Sequence, residues 1–572
     1  WEDDRVQDEG IEGMIYSYGY GDGGGGPTRE LVETAVRCRD LEGAPRAVFE
    51  GPASYFEKLK KRGCENVFTG ELYLAWHRGT YTAQAKTKLG VRRAECLLKE
   101  ADYWNCLLGL TDRADALKRE ETLRALWMRL LLQEFHDILP GTGIARVHEE
   151  AEKELAAVSR ECEILLEDIF NSLEGTAAVK SEKPSGQGKS ALPEEALAEK
   201  DQQRLRDGEN FLLKSTRLSV CLNHAGQVVS LRAFPRKEGK PSEEESWEAA
   251  GEPMNTFRLY RNVNSYYDAW EIGRMYEKEE ELLDTDGWSM TEDEFEGRPA
   301  WRLEGKIVDS PLSQLICLSE DGCMVEFHTR IDWKERHRML KVDFPSSVRS
   351  DHVTGEVAFG AYARPTTRSW QWEKDRYEVC GHRYSVLEDG RYGIELINDC
   401  KYGYSAKEDR ISLTLLRSPL MPDMYADQGI QEFSYACFPY EGSFREQDAA
   451  GRAEHFNLNS HMSAQLRVRR RRLAKEIPSF RLTAWPEEKA ACHVRMEAVK
   501  LSEDGTGKMV LHLYEAAGVP QRIRLKLPEG MESACAKETN LLEEVQQELV
   551  VKDGSLIMEF GAFEIRTVVF DV

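Results

Sequence analysis

The sequence predicts a multi-domain α+β protein in which a helical region is followed by a long β region. Apolar residues recur at helical spacing between Glu71 and Leu173, a polar stretch runs from Gly175 to Gln203, and beyond it apolar and polar residues alternate. A length of 572 residues allows about three or four domains of ordinary size. We expect these domains to occupy residues 1–70, 71–174, 206–466 and 467–572, with a linker at 175–205.

Residues 71–174 are predicted to form a bundle of three long antiparallel helices. The first helix runs through Ala94–Leu108, and the second runs through Leu123–Leu131. The third runs through Val147–Leu165, with Glu and Lys on its outer side. Helices of this length joined by short breaks pack as a bundle. His148, near the start of the third helix, is expected on its solvated face. The apolar face of the first helix consists of Ala94, Leu97, Leu98, Ala101, Trp104 and Leu108.

Beyond the linker, the alternating pattern predicts a large β-sandwich domain over 206–466 and a smaller β domain over 467–572. The linker itself is rich in Ser, Lys, Glu, Pro and Gly and has almost no apolar residues. No long helical pattern interrupts the strands up to Phe456. The clearest strands are Leu218–Leu222, Val228–Arg232, Arg338–Phe344, Ile411–Leu416, Lys508–Tyr514 and Phe563–Phe570.

A glycine-rich loop lies in the first segment of the chain. Four consecutive glycines follow Asp22, so the backbone there forms a loop that can approach a ligand closely. The loop lacks the Lys-Ser/Thr ending of a phosphate-binding loop, which argues against a nucleotide site. Arg29–Val36 after it is a predicted helix, and α/β enzymes present side chains to substrates from loops of this kind.

Charge and cysteine usage limit the partners and the compartment. The formal net charge of −24 repels phosphate backbones and anionic membranes, so we expect no nucleic acid and no membrane partner. No apolar run approaches the length of about 18 residues that spans a bilayer. Thirteen cysteines without a CxxC pair indicate free, mostly buried thiols in a reducing compartment, for which the cytoplasm is the expectation.

The basic run Arg467–Arg472 has two interpretations, a nucleic-acid contact or a joint between domains that neutralises carboxylates. The acidic balance of the chain favours the joint. The chain begins at Trp1 without an initiator Met or an apolar leader, and we interpret it as a piece of a longer protein.

The stretch Gln133–Thr142 places His136 beside Asp137 where an apolar helix meets a Pro-Gly break. Imidazole is a metal ligand, and an adjacent carboxylate suits either metal or substrate binding. Proline and glycine end the helix, because one lacks an amide donor and the other tolerates the turn. The alternative is purely structural, with a capping His and a helix-ending Asp.

Five separated motifs give the chain a family resemblance. With these motifs and the ending Phe563–Thr567, the chain resembles the α-mannosidases of glycoside hydrolase family 38, in the cytosolic and bacterial branch. The likeness covers essentially the whole chain. The motifs are Gly19–Thr28; Gly70–Tyr73 with His77–Thr82; Phe135–Gly141; Tyr267–Glu271; and Asn398–Tyr404 with Leu415–Pro419.

This resemblance implies a retaining, zinc-dependent hydrolase of terminal α-mannosides, acting on mannose-containing oligosaccharides. Its single zinc would be held by two His and two Asp in a barrel-like α/β domain, of which residues 1–70 would be a remnant. His136 would be a zinc ligand, and Asp137 would bind sugar hydroxyls. The sequence leaves open whether the protein forms a homo-oligomer.

Further site residues follow from the resemblance. Asp22 would be a catalytic acid/base or a sugar-binding carboxylate, and the alternative is a turn-former. His77 and Tyr81 would line the glycone pocket, although His77 as a structural residue is an equal alternative. Tyr267 and Trp270 are interpreted as sandwich core rather than as a sugar-stacking platform. Weaker candidates for substrate binding in the β region are Tyr402, Arg417 and Asp427.

One departure from the family pattern is decisive for activity. The family's first zinc pair is a His-x-Asp motif, and none of the twelve histidines has Asp two positions later. We therefore expect the nucleophile and the first zinc ligands to lie outside this chain, which would be inactive alone. The competing hypothesis is a non-catalytic carbohydrate-binding or assembly module that has lost the barrel.

Overall fold

A computed structural model describes residues 14–21, 24–63, 67–181, 202–234, 236–237, 240–241, 246–264, 266–487 and 490–571. The chain divides into two compact units, Trp1–Leu74 and Ala75–Val572. Asp22 lies outside the described residues.

The first unit contains two short helices, α1 (Arg29–Arg37) and α2 (Pro52–Arg62). The helix predicted at Arg29–Val36 is confirmed. It begins where the hydroxyl of Thr28 accepts a hydrogen bond from the amide of Leu31 at 3.3 Å. Neither helix buries a residue against the described part of the chain.

The second unit begins with a 3₁₀ turn, Arg78–Tyr81, and three helices, α3 (Ala85–Leu108), α4 (Arg113–Gln133) and α5 (Ala145–Ser181). They form the predicted three-helix bundle. Helix α5 continues to Ser181, past the expected start of the linker at residue 175. Residues 182–201 lie outside the described part of the chain.

Three antiparallel sheets follow the bundle, as the alternating pattern predicts. In spatial order, the first holds Gln203–Asp207, Asn210–Lys214, Leu218–Leu222, Val228–Ala233 and Trp247–Glu248. The nine-stranded sheet holds Ser289–Phe295, Arg298–Ile307, Ser310–Leu318, Val325–Trp333, Gly429–Glu441, Tyr392–Asn398, Tyr384–Glu388, His352–Val357 and Gly360–Pro365. The six-stranded sheet holds Val379–Cys380, Gly403–Lys407, Arg410–Arg417, Arg338–Pro345, Thr256–Arg261 and Glu280–Glu281. Smaller elements are the ribbon Arg236–Lys237 with Lys240–Pro241, the 3₁₀ turn Tyr276–Lys278 and helix α6 (Gln371–Lys374).

Two helices that the sequence did not predict separate these sheets from the C-terminal strands: α7 (Ala449–His461) and α8 (Ala464–Glu476). Helix α8 carries the basic run and buries only Leu466 and Leu473. Two buried apolar residues in 13 give almost no helical period, which explains why the pattern was missed.

The C-terminal region is built from two further antiparallel sheets. One holds Arg481–Ala484, Gln521–Lys526 and Ser555–Phe560; the other holds Val494–Leu501, Met509–Glu515, Ile565–Asp571, Cys535–Thr539 and Val545–Leu549. One continuous apolar core joins these strands to the bundle and to α7 and α8; it includes Leu97, Phe170, Leu473, Leu511 and Phe570.

The basic run on α8 is a joint between segments, as the acidic balance of the chain favoured. Arg470 pairs with Glu100 of α3, and Arg469 pairs with Glu174 of α5 at 3.0 Å. The twelve cysteines in the described part are all free. No helix in the same part of the chain combines the length and the apolar character of a membrane span.

Candidate functional site

Two of the motifs meet at the 3₁₀ turn Arg78–Tyr81 that leads into α3. The amide of Gly79 donates to the carbonyl of Trp270 at 2.7 Å, and the amide of His77 donates to the carboxylate of Glu271 at 2.8 Å. His77 is exposed, and its backbone is left-handed, with φ of 64°. Tyr81 ends the turn and is half-buried. The predicted pocket residues of this segment therefore lie against the Tyr267–Glu271 loop.

Arg417 fixes that loop from the β side. Its fully buried guanidinium donates to Asn262 at 2.7 Å, to the carbonyl of Ala269 at 3.1 Å, and to the carbonyls of Asp268 and Glu271. Burial lowers the pKa of Arg417 to about 10. All these acceptors are protein groups, so Arg417 acts on the loop directly.

The close approach of the turn to this cluster requires a glycine. A Cβ on Gly79 would lie 2.5 Å from Arg417 Nη1 and 2.7 Å from the carbonyl oxygen of Ala269. Real Cβ atoms do not come so close to backbone, so any side chain at this position would force the two motifs apart.

Asp427 begins helix α3 from a position far along the chain. Its carboxylate accepts hydrogen bonds from the amides of Ala85 at 2.6 Å and Gln84 at 3.2 Å. The neighbouring Asp423 accepts from the side chain of Gln84 at 2.7 Å. Burial raises the pKa of Asp427 to about 6. A carboxylate at a helix N-terminus satisfies amides that have no partner within the helix.

Lys88 connects this helix to the turn that carries His136. Its buried ammonium donates to the carbonyls of Ala83 at 2.5 Å and Leu139 at 2.8 Å. Burial lowers its pKa to about 7. Gly141, at φ of 84°, packs so tightly on the carbonyl of Ala83 that a Cβ would overlap it. Three motifs are thereby held to the start of α3.

His136 and Asp137 lie in the turn that follows α4. Their side chains are 77% and 71% exposed, and His136 Nε2 lies 3.5 Å from Asp137 Oδ2. The imidazole packs on the ring of Phe135, with centroids 4.2 Å apart. Both groups are accessible to a ligand, and neither is sealed in apolar surroundings.

Tyr402 lies on the β side and contacts α3. Its hydroxyl accepts a hydrogen bond from Arg92 Nε at 3.1 Å, and the same guanidinium lies over its ring at 4.6 Å. Arg92 also donates to Asn457 at 2.9 Å. Burial raises the pKa of Tyr402. The fifth motif therefore reaches the bundle through an arginine.

Two sequence interpretations are wrong in this region. Tyr267 is 67% exposed and has a left-handed backbone, so it is not sandwich core; Trp270 is half-buried, with its ring edge-on to Tyr267 at 5.8 Å. His148 is buried rather than solvated, because the start of α5 packs on α3 where His148 Nδ1 meets the hydroxyl of Thr87 at 3.2 Å.

The sequence missed Lys88, Asp268 and Asp423 as site residues. A signal existed for Lys88, because it falls on the same helical face as Val91, Ala94 and Leu98. A lysine on an apolar stripe needs buried partners. Asp268 lies inside a quoted motif, but its partners come from more than a hundred residues away.

Across the described residues, three metal-ligand side chains come together at one place, Cys317, Glu326 and His328. Glu326 Oε2 already accepts from Arg298 at 2.9 Å and lies 3.3 Å from His328 Nε2. A guanidinium on the shared oxygen makes this a hydrogen-bonded cluster rather than a cation site. His136 and Asp137 belong to no such group of three within the described part of the chain.

Three family descriptions match separate parts of the chain. "Alpha mannosidase middle domain" matches residues 75–173, "Glycosyl hydrolases family 38 C-terminal domain" matches 242–425, and "Glycosyl hydrolases family 38 C-terminal beta sandwich domain" matches 493–568. The chain belongs to glycosyl hydrolase family 38. The resemblance inferred from the motifs is confirmed.

Relatives in family 38 align along almost the whole chain. Human "Alpha-mannosidase 2C1" is 32% identical over 96% of this chain and 55% of its own length. "Alpha-mannosidase G" of Dictyostelium discoideum is 27% identical over 96% of this chain and 57% of its own length. The chain thus spans little more than half the length of these curated relatives.

A solved structure supports the fold. An α-mannosidase from Enterococcus faecalis superimposes with a TM-score of 0.68 at 13% identity, covering 96% of this chain and 75% of that chain. The bundle followed by antiparallel sheets is therefore the family 38 arrangement.

Proposed function

We propose that this chain is part of an α-mannosidase that removes terminal α-linked mannose by a zinc-dependent, retaining reaction. The observation that carries the proposal is the assembly of three of the separated motifs around the start of α3, with His136 and Asp137 exposed beside them. The names of the family 38 relatives support mannose as the sugar.

Asp137 would bind the sugar directly. Its exposed carboxylate accepts hydrogen bonds, and a mannose ring offers neighbouring hydroxyls, O2 and O3, that donate them. Charge-assisted hydrogen bonds of this kind are about twice as strong as neutral ones. Lys88 and Gly141 would hold the turn in place while the sugar binds.

A zinc ion fits this place only in part. His136 is an accessible imidazole next to a carboxylate, and both are zinc ligand types, but a zinc site takes three or four protein ligands. The described residues supply no third ligand there. We therefore derive no step through zinc and propose His136 as one member of a larger ligand set.

The retaining reaction needs two carboxyl groups about 5 Å apart, one as nucleophile and one as acid/base. Asp22 is proposed as a sugar-binding or acid/base group. We propose no nucleophile among the described residues, and we expect this chain alone to be inactive.

The test uses the product of the complete reading frame that encodes these residues, assayed with an aryl α-mannoside. We expect hydrolysis that a chelator abolishes and zinc restores, with the α-anomer of mannose as the first product by NMR. Aryl β-mannoside and aryl α-glucoside serve as controls. Absence of hydrolysis by the zinc-loaded protein would refute the activity, and a β-anomer first product would refute retention.

The competing function is a non-catalytic carbohydrate-binding or assembly module. An in-frame start codon near Trp1 would favour the module, and a frame that continues upstream through a His-x-Asp motif would favour the enzyme. We also propose a cytoplasmic location, supported by the free thiols of the described cysteines.

A further inference from the structure

A large groove lies between the nine-stranded sheet and helices α7 and α8. Its volume is about 1210 Å³, whereas pockets for drug-sized molecules measure about 300–1,000 Å³. Of the predicted site residues that the structure describes, none lines it. The groove is therefore separate from the site around His136 and has room for a chain of linked units.

Two ion pairs tie the walls of the groove together. From α8, Arg467 pairs with Glu296 in a hairpin of the sheet, and Arg471 grips both oxygens of Glu320 at 2.6 and 2.7 Å. Both arginines line the groove. Because these pairs join the helix to the sheet, the groove is formed before any ligand arrives, and binding would require little reorganisation.

Most of the charged side chains on the walls are paired. Arg298 pairs with Glu326 at 2.9 Å, and Arg330 pairs with Glu432 at 3.3 Å. Arg452 is likewise held by Glu395 at 2.9 Å. Neutralised guanidinium groups are poor receptors for a free anion, and neutralised carboxylates are poor receptors for a cation. Closely spaced donors and acceptors instead suit hydroxyl groups, which donate and accept at once.

Two lining side chains also carry buried polar atoms without a partner. Nη2 of Arg452 is an unused donor, and Oε1 of Gln202 is an unused acceptor. Buried groups of this kind are normally hydrogen-bonded. Val468 is exposed and adds apolar surface to the lining, to which the buried Phe456 and Met462 also belong.

We propose that this groove binds a neutral oligosaccharide of several units, at a site separate from the proposed hydrolytic site. Its hydroxyls would bridge the paired arginines and carboxylates. The proposal does not depend on hydrolysis. A protein of this kind would hold a glycan at one place while its end is processed at another.

The test measures binding of a thio-linked α-mannotriose, which resists cleavage, to this chain by calorimetry and saturation-transfer NMR. Ser460→Trp and Val468→Trp fill the groove from opposite helices, at positions that are exposed. Ser460→Ala is the matched control, and Asp137→Ala removes the proposed sugar contact elsewhere. Thermal melting confirms that each variant is folded.

We expect a dissociation constant on the order of 1 mM, weakened about tenfold by either tryptophan. The Ser460→Ala variant should bind as the parent does. Undetectable binding would overturn the inference, as would binding that Asp137→Ala abolishes and both tryptophan variants keep. Displacement of the sugar by inorganic pyrophosphate would also overturn it, because the groove would then be an anion site. These outcomes are all measurements of binding, so they do not depend on whether the complete protein has mannosidase activity.

Discussion

The ammonium group of Lys88 donates a hydrogen bond to the carbonyl of Leu139 at 2.8 Å, which ties the first turn of α3 to the turn that presents His136. The same group holds the carbonyl of Ala83. A buried lysine is costly unless its donors are used, and here both acceptors are backbone groups of functional segments.

Lys88→Met should loosen the His136 turn. Both carbonyls lose their donor, while the amides of Leu139 and Gly141 keep their partners within the turn. We expect hydrogen exchange at these two amides to accelerate about tenfold, the equivalent of roughly 1.4 kcal/mol. Lys86→Met, at the half-buried lysine two positions earlier, is the control. Equal exchange in both variants would show that Lys88 does not hold the turn.

Arg417→Met should strongly destabilise the second unit. The substitution removes the buried ion partner of Asp268 and the donor to the carbonyls of Asp268 and Ala269, and breaking such a buried charge cluster costs about 3–5 kcal/mol. Urea unfolding measures the loss. Arg146→Ala, which removes an exposed arginine paired with Glu150, should stay within about 0.5 kcal/mol of the parent. Similar losses of unfolding free energy in the two variants would contradict the conclusion that Arg417 fixes the Tyr267–Glu271 loop.

Asp427 should make stability fall as pH rises from about 4 to about 6. Its pKa is raised from 3.8 to about 6 in the folded protein by burial, so the folded state holds the proton more tightly. The resulting stabilisation is complete below about pH 3.8 and is lost as pH passes 6.

The variant Asp427→Asn removes the titration. Its one amide oxygen can still accept from the amide of Ala85, while the bond from the amide of Gln84 is lost at every pH. As pH rises across that range, the unfolding free energy of the parent should fall relative to that of the variant. The difference between the two should then stay constant above pH 7. If the difference did not change from pH 4 to 7, the pKa of Asp427 would not be raised in the folded protein.

His136→Ala should leave stability unchanged and affect only function. Its side chain is 77% exposed, so unfolding should change by less than about 0.5 kcal/mol. In the product of the complete reading frame, the variant should lose bound zinc and mannoside hydrolysis together. The control is His352→Ala, an exposed histidine that also neighbours an aspartate, Asp351, at 2.9 Å. Stoichiometric zinc in His136→Ala would exclude it as a ligand.

The sequence predicted the elements that have many buried apolar residues. Helix α3 was predicted because its apolar stripe is long, and strands such as Ile411–Leu416 were predicted because alternation is local. Helix α8 was missed because it buries only Leu466 and Leu473, and its other tertiary contacts include ion pairs between four of its arginines and glutamates from distant segments. Ion pairs across such separations leave no periodic signal in a sequence.

The site shows the same division. The motifs identified the segments, but not what each side chain touches. Asp427 lies 342 residues from the helix amide that it caps, and the acceptors of Arg417 lie nearly 150 residues away. Contacts of this kind depend on how the sheets pack, and no local pattern encodes them.

The apolar core shared by the bundle and the C-terminal strands has a consequence for biosynthesis. The bundle ends at Ser181, and the five-stranded C-terminal sheet begins with the strand at Val494. At about 5–20 residues per second, that interval corresponds to tens of seconds of translation. During that time the apolar face of the nascent helices is exposed to solvent. We therefore expect chaperones to be needed until the last strands leave the ribosome.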